Sequence, residues 1–276
     1  MRKNYAVIGD PIQHSMSPAM HNDLFQFYGI DAEMKKIHIK KELLESGLIE
    51  LRDMNIAGFN VTVPHKQAII PFLDELDPLS KAIGAVNTVV CEKGKWIGYN
   101  TDGEGYLRGL LKQLPDLPQR KIIIIGSGGA ARGIYFTLAQ YGVLQIDICN
   151  RTLSNAAALK DACPYPVNTN IMDFASAEKT LSEYDLIIQT TSIGMSPHID
   201  DTPIQLTNLK REALVSDIIY NPLETKILSA AKIKGAKTQN GIDMFVYQGA
   251  LAFEKWQGFF PDTERMKQCV LTQLGG

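Results

Sequence analysis

Lys121-Ile-Ile-Ile-Ile125-Gly126-Ser127-Gly128-Gly129-Ala130-Ala131-Arg132-Gly133 is the stretch that decides the fold. Its first part is a continuous apolar run between a charge and a glycine, the pattern of a strand buried on both faces in a parallel sheet. Its second part has G-x-G-x-x-G/A spacing at Gly126, Gly128 and Ala131. In that pattern the first glycine permits a tight turn and the second lets a pyrophosphate approach the backbone. The small third residue lets helix and strand pack closely. A helix expected from Gly129 to Tyr141 then offers unpaired N–H groups and a positive dipole end to phosphates. Gly126, Ser127, Gly128, Gly129 and Ala130 therefore form the expected cofactor cradle. Strand, loop and helix in this order point to a dinucleotide where the glycines alone would not.

The next strand, expected over Gln145–Cys149, bears on which dinucleotide. An NAD site places Asp or Glu at the end of this strand, to accept from the ribose hydroxyls. Here the end reads Asn150-Arg151-Thr152, and Asp147 falls too early in the strand. A guanidinium at that place grips a 2′-phosphate with two charge-assisted bonds; the alternative is a solvated surface arginine. The expected cofactor is NADP.

Outward from this core, short β-rich runs alternate with helical stretches, which predicts an α/β fold with parallel sheets. The expected strands before it are Tyr5–Gly9, Glu33–Ile39 and Gly58–Val63, with a hairpin of Val86–Cys91 and Lys95–Tyr99 turned at Lys93-Gly94. Expected helices are Pro18–Tyr28, capped by Ser17, and Lys41–Met54. After it come strands at Asp185–Gln189 and Leu214–Ile218 and helices at Met244–Gln257 and Thr263–Leu274. The proline-bearing stretch 114–121 is the best boundary candidate.

The 276 residues are enough for two ordinary domains. With 28 Lys+Arg against 30 Asp+Glu the net charge is −2, which gives no basic footprint for nucleic acid or membrane. Cys91, Cys149, Cys163 and Cys269 form no C-x-x-C pair, and the five histidines have no metal-ligand spacing. The apolar stretch near the N-terminus is too short for a signal segment. The expectation is a cytoplasmic protein without a metal.

The first hundred residues hold a polar constellation. In the strand expected over Gly58–Val63, Phe59, Val61 and Val63 alternate with Asn60 and Thr62. Two polar groups on one face of an internal strand each need a partner, and they fall near the carboxyl end, where open α/β sheets bind ligands. Lys66 follows Pro64 at the start of a helix, where the positive dipole end disfavours its charged form and suits it to releasing a proton. Asp102, in Gly98-Tyr-Asn-Thr-Asp102-Gly103, is its natural partner, the alternative being a plain N-cap. Ser15 and Ser17 put hydroxyls at the same sheet edge, suited to a carboxylate.

Taken together, GDPIQHSMSPAMHN (9–22), GFNVTVPHK (58–66), GAVNT (84–88), GYNTDGEG (98–105), GSGGAARG (126–133), NRT (150–152), TTSIGM (190–195), DIIYNPLET (217–225) and NGIDMFVYQGALAFEKW (240–256) resemble the shikimate dehydrogenase family over nearly the whole chain. The resemblance implies an open, mostly parallel α/β substrate domain of residues 1–103 and 241–276. It implies a Rossmann NADP-binding domain of 104–240, separated from the first by a cleft. It implies reversible reduction of 3-dehydroshikimate to shikimate with NADPH, in aromatic amino-acid biosynthesis, by a monomer or homodimer. Lys66 and Asp102 would be the catalytic pair, with substrate contacts from both and from Ser15, Ser17, Asn60, Thr62, Asn87, Tyr220 and Gln248. Thr191, Ile218, Gly241 and Met244 would join the cofactor site, Met244 near the nicotinamide. Gln189, where the family often has Asn, and Ile193, in place of a smaller residue, depart from the pattern. Two other readings stay open: a quinate or dual quinate/shikimate dehydrogenase, and a non-catalytic sensor of NADP and a shikimate-like ligand.

Overall fold

The computed structural model describes residues 2–275. The chain divides into two compact units, Met1–Gly105 with Val246–Gly276, and Tyr106–Phe245. The first unit opens with β1 (Lys3–Gly9), α1 (Ser17–Phe27), β2 (Ala32–His38), α2 (Leu44–Asp53), β3 (Gly58–Val61) and α3 (His65–Ala68). It continues through β4 (Glu75–Leu76), α4 (Pro78–Ile83), β5 (Thr88–Glu92), β6 (Lys95–Tyr99) and α5 (Asp102–Leu111). The second unit holds β7 (Ile122–Ile125), α6 (Gly129–Gln140), β8 (Ile146–Cys149), α7 (Leu153–Asp161) and β9 (Ile171–Met172). It then adds α8 (Phe174–Thr180), β10 (Leu186–Gln189), β11 (Leu214–Asp217), α9 (Lys226–Ile233) and β12 (Lys237–Gln239). Helices α10 (Ile242–Gln257) and α11 (Thr263–Gln273) return the chain to the first unit. The bounds differ from those read in the sequence because the chain passes between units inside α5 and α10. The proline-bearing stretch 114–121 is not where the units divide: it lies within the second unit, with Leu117 fully buried.

The second unit's sheet runs β12-β11-β10-β7-β8-β9, every pair parallel. This is the doubly wound dinucleotide order, with its topological switch between β7 and β10. All four isoleucines of β7 are fully buried, so the apolar run is a central strand covered on both faces. The first unit's sheet, β2-β1-β3-β5-β6-β4, is mixed: β1 pairs in parallel with β2 and β3, while β5 runs antiparallel to both β3 and β6. The hairpin between β5 and β6 turns through Lys93 and Gly94, both left-handed, as a two-residue turn requires.

Two local expectations are corrected. β3 ends at Val61, because the Thr62 carbonyl accepts from the His65 N–H and starts a turn there; Val63 is 67% exposed instead of facing the core with Phe59 and Val61. Ser17 does not cap α1 but is its first residue, after Met16, which makes no side-chain cap bond. Pro18 removes one of the donors a cap would serve, and Ser15 Oγ accepts the Ser17 N–H at 3.4 Å.

Candidate active site

In the first unit, the carboxyl ends of β3 and β6 and the part of α10 around Gln248 bring polar side chains together. Lys66 Nζ donates to Asp102 Oδ2 at 2.6 Å, with the two side chains 30% and 19% exposed. Asp102 Oδ1 accepts from Asn87 Nδ2 at 2.9 Å, so both carboxylate oxygens are engaged by side chains and the residue is more than a helix start. Asn87 is the hub. Its Nδ2 also reaches Thr101 Oγ1 (2.9 Å) and Gln248 Oε1 (3.4 Å), and its Oδ1 accepts from the Thr101 N–H (2.8 Å). Thr101 Oγ1 donates to the Gln248 carbonyl at 3.0 Å. Gly105 permits this closeness: a Cβ there would stand 2.5 Å from the Gln248 nitrogen.

Asn60 is buried, and its Nδ2 donates to the Asn87 carbonyl and to Thr88 Oγ1. Its Oδ1 has no partner. A buried amide oxygen left open costs free energy unless a donor arrives. The Asn60 carbonyl end therefore keeps an acceptor that the described residues do not use. Thr62 is half-buried just beyond β3 and packs on Gly9, where a Cβ would stand 2.5 Å from Thr62 Cγ2. Ser15 and Ser17 adjoin through the contact already described, Ser17 being buried.

The dipole expected to act on Lys66 is small, because α3 is a single turn. What holds Lys66 is side-chain contact with Asp102, a backbone bond from the Val86 N–H to the Lys66 carbonyl (2.7 Å), and its neighbour His65. Buried His65 donates from Nε2 to the Ile39 carbonyl at 2.6 Å, pinning this turn to the end of β2. His65, Thr88 and Thr101 were not singled out in the sequence. The only local signal was their adjacency to Lys66, Asn87 and Asp102.

In the second unit, Gly126 sits at φ +111, where a Cβ would stand 2.7 Å from Thr190 Oγ1. Gly128 and Gly129 are exposed and face open space, and Gly128 leads into α6 without a side-chain cap. The first turn of α6 therefore presents bare N–H groups beside glycines that leave room for a phosphate chain. Ser127 and Ala130 are half-buried in the same turn. Asp147 is buried, accepting from Asn170 and from the Tyr184 hydroxyl, and is not offered to a ribose. Arg151 is exposed after β8, and Asn150 Nδ2 steadies the turn by donating to the Thr152 carbonyl. These residues fit an NADP-sized dinucleotide.

Gln189, one of the two departures, is fully buried at the end of β10 and clamps the following loop. Its Nε2 donates to the carbonyls of Thr191 and Ile193, and its Oε1 accepts from the Thr191 N–H. Ile193 itself is 39% exposed. Gly241 lies on Ile218, where a Cβ would meet the carbonyl at 1.9 Å, and Met244 follows in the first turn of α10. Tyr220, in this unit, packs on Phe245 with ring centroids 5.0 Å apart and ring planes tilted by 40°, and burial pushes its phenol pKa up. Asp217, at the end of β11, accepts from Thr225 Oγ1 and the Ile219 N–H. Burial pushes its carboxyl up to about 6. The buried Cys149 thiol is pushed up to about 12 and is no nucleophile.

Comparison with known proteins follows the same division. Residues 7–89 match the shikimate dehydrogenase substrate-binding domain, 110–229 the shikimate/quinate 5-dehydrogenase domain and 241–271 the shikimate 5′-dehydrogenase C-terminal domain. A shikimate dehydrogenase (NADP(+)) of Bacillus cereus (strain AH820) is 53% identical over 277 residues, covering 100% of both chains. The chain belongs to the shikimate dehydrogenase family. Among solved members, shikimate 5-dehydrogenase from Thermus thermophilus, in complex with NADP(H) and shikimate, has a TM-score of 0.87 at 32% identity, over 98% of this chain and 99% of that one. A quinate dehydrogenase from Corynebacterium glutamicum in complex with NAD has a TM-score of 0.91 at 29% identity, over 98% and 99%. Both known substrate readings thus occur on this fold. Among the described residues no helix is long and apolar enough to cross a membrane.

Proposed function

We propose that this chain is a cytoplasmic NADP-dependent shikimate dehydrogenase, interconverting 3-dehydroshikimate and shikimate. The observation that carries this reading is the Lys66–Asp102 pair, 2.6 Å apart, in a cluster that leaves Asn60 Oδ1 open. When bound, the reduced cofactor supplies a hydride to the ring carbonyl. The growing alkoxide then needs a proton, and the Lys66 ammonium gives it. Asp102 keeps that amine aimed and accepts from a ring hydroxyl, while Asn87 prevents the carboxylate from turning away. Proton transfer from a positioned group of this kind contributes about 10²–10⁴-fold. Asn60 and Thr62 bind ring hydroxyls, and Ser15 and Ser17 take the carboxylate. Gln248 joins them through its contact with Asn87, and Tyr220 completes the substrate contacts.

For the cofactor, the Gly126–Ala130 turn would hold the pyrophosphate, and Asn150, Arg151 and Thr152 the 2′-phosphate. Thr191, Ile218, Gly241 and Met244 would line the nicotinamide half. A buried, already engaged Asp147 and an exposed Arg151 favour NADP over NAD. The deciding assay follows NADPH absorbance with shikimate, and is repeated with quinate and with NAD. Turnover with shikimate and NADP well above the other pairings supports the proposal. Faster turnover of quinate would replace it with the quinate reading, and no turnover of either acid would leave a binding protein.

A further inference from the structure

The first unit's strands have a second end, away from Asn60 and Lys66. There, below the starts of β1 and β3, a cavity of about 410 Å³ is lined by Arg2, Lys3, Arg52, Asn55, Lys93 and Trp96, among others. Four of its lining side chains are cations and none is a carboxylate, in a chain whose net charge is −2. Arg52 is braced, its guanidinium carbon 4.1 Å above the Trp96 ring. Two of the four are paired with acids outside the lining, Arg2 with Glu33 and Arg52 with Asp74, each at 3.4 Å. Lys3 and Lys93 have no acidic partner among the described residues. Beyond those contacts, gathering like charges in one concavity gives the fold repulsion; it focuses a positive potential on whatever enters.

The choice of residue at one turn adds to the charge at this place. Among the described residues, Asn55 (φ 49) and Lys93 (φ 51) are the non-glycine positions with positive φ, and both line this cavity. Asn55 has an ordinary reason, since Asn tolerates the left-handed region after a helix. At Lys93 the two-residue hairpin turn requires that conformation; the turn favours Asn, Asp or Gly there, and lysine places a cation on the cavity rim.

We propose that this cavity binds a small phosphorylated metabolite. The guanidinium forks of Arg2 and Arg52 match phosphate oxygens two at a time, and Lys3 and Lys93 act as point charges. The volume lies at the lower end of small-ligand sites, room for one phosphate ester and not for a dinucleotide. This site is separate from the glycine loop of the second unit and does not depend on the dehydrogenase reading.

The test titrates ribose 5-phosphate, at low ionic strength, into full-length chain carrying Arg151→Ala, which weakens phosphate binding in the second unit. Tryptophan emission is the readout, because Trp96 lies under Arg52 in the lining. A saturable change is expected. Adding Lys93→Asn should raise half-saturation about fivefold, and Arg2→Gln should raise it further. Lys93→Asn should also keep or raise Tm, since Asn suits the turn better, so lost binding is not lost folding. Absence of a saturable signal, or one undiminished in the Lys93→Asn/Arg2→Gln chain, overturns the proposal. Equal half-saturation by inorganic phosphate overturns the assignment to an ester.

Discussion

The loop at Gly126 and the cluster at Lys66 both lie where a strand gives way to a helix, yet they are made of opposite materials. At Gly126 the binding surface is backbone, exposed because Gly128 and Gly129 carry no side chain and nothing caps α6. At Lys66 it is side chains, drawn from positions as far apart as Asn60 and Gln248 and held by one another. A backbone site is specified locally, by spacing along the chain. A side-chain site is specified by the fold. The first tolerates no added atoms, and the second tolerates no missing ones.

The largest effect is expected where the side-chain site loses its donor. Lys66→Ala should lower kcat by about 10²–10⁴-fold with little change in KM, read from steady-state rates with shikimate and NADP. A variant that keeps a third of normal turnover would show that Asp102 and the hydroxyl contacts suffice without the amine. KM rising in step with the loss would make Lys66 a binding residue only.

The backbone site is tested by the opposite change, adding a methyl group. Gly126→Ala forces a Cβ to within 2.7 Å of Thr190 Oγ1 at φ +111, and should destabilise the chain by about 2–3 kcal/mol, read by denaturant melts. Gly128→Ala meets nothing within 4 Å, so Tm should barely move while NADPH affinity falls about tenfold or more. Should both glycines behave alike, either in stability or in affinity, the distinction between turn-former and phosphate neighbour is wrong.

Arg151→Ala sharpens the comparison, because it removes the one long side chain expected to read the cofactor. NADPH should bind roughly tenfold to a hundredfold more weakly, about 1.5–3 kcal/mol, and NADH should be unaffected. Calorimetric titration of both cofactors checks this; parallel losses would return Arg151 to the solvated surface.

This contrast in materials also explains what could be read in advance. The KIIIIGSGGAARG stretch announced strand, turn and helix because each signal is local, and the observed β7 and α6 differ from it by a residue at most. Elements without a local signature went unread. β9 is two residues long, and α7, LSNAAALKD, buries only Ala156 and Leu159, so its apolar stripe is faint. The polar cluster was legible as residue types but not as a network. Nothing in the sequence says that Asn87 links Thr101, Asp102 and Gln248, or that His65 is tied to Ile39. Ser17 shows the converse failure: a sound local rule for caps lost to the turn set up by Ser15 and Pro18.

Asp217 provides the smallest effect and a control on the comparison, since it is a buried side-chain carboxylate in the unit whose binding surface is backbone. Asp102 has a cation beside it; among the described residues Asp217 has the Thr225 hydroxyl and the Ile219 N–H. Burial lifts its pKa from 3.8 to about 6. Between those values the folded chain binds more protons than the unfolded one, so stability falls as pH rises through that window, by roughly 3 kcal/mol in full. Asp217→Asn removes the charge and keeps an acceptor for Ile219, while its amide can donate to Thr225 Oγ1. Bonds to a charged acceptor are the stronger ones, so part of the gain is given back. The net expectation is a variant about 1 kcal/mol more stable than wild type at pH 7, with no advantage at pH 4, read by calorimetry across pH. A variant less stable at pH 7 would mean that the carboxylate's two bonds outweigh its desolvation, so that an ionised acid holds the loop after β11 as one holds Lys66.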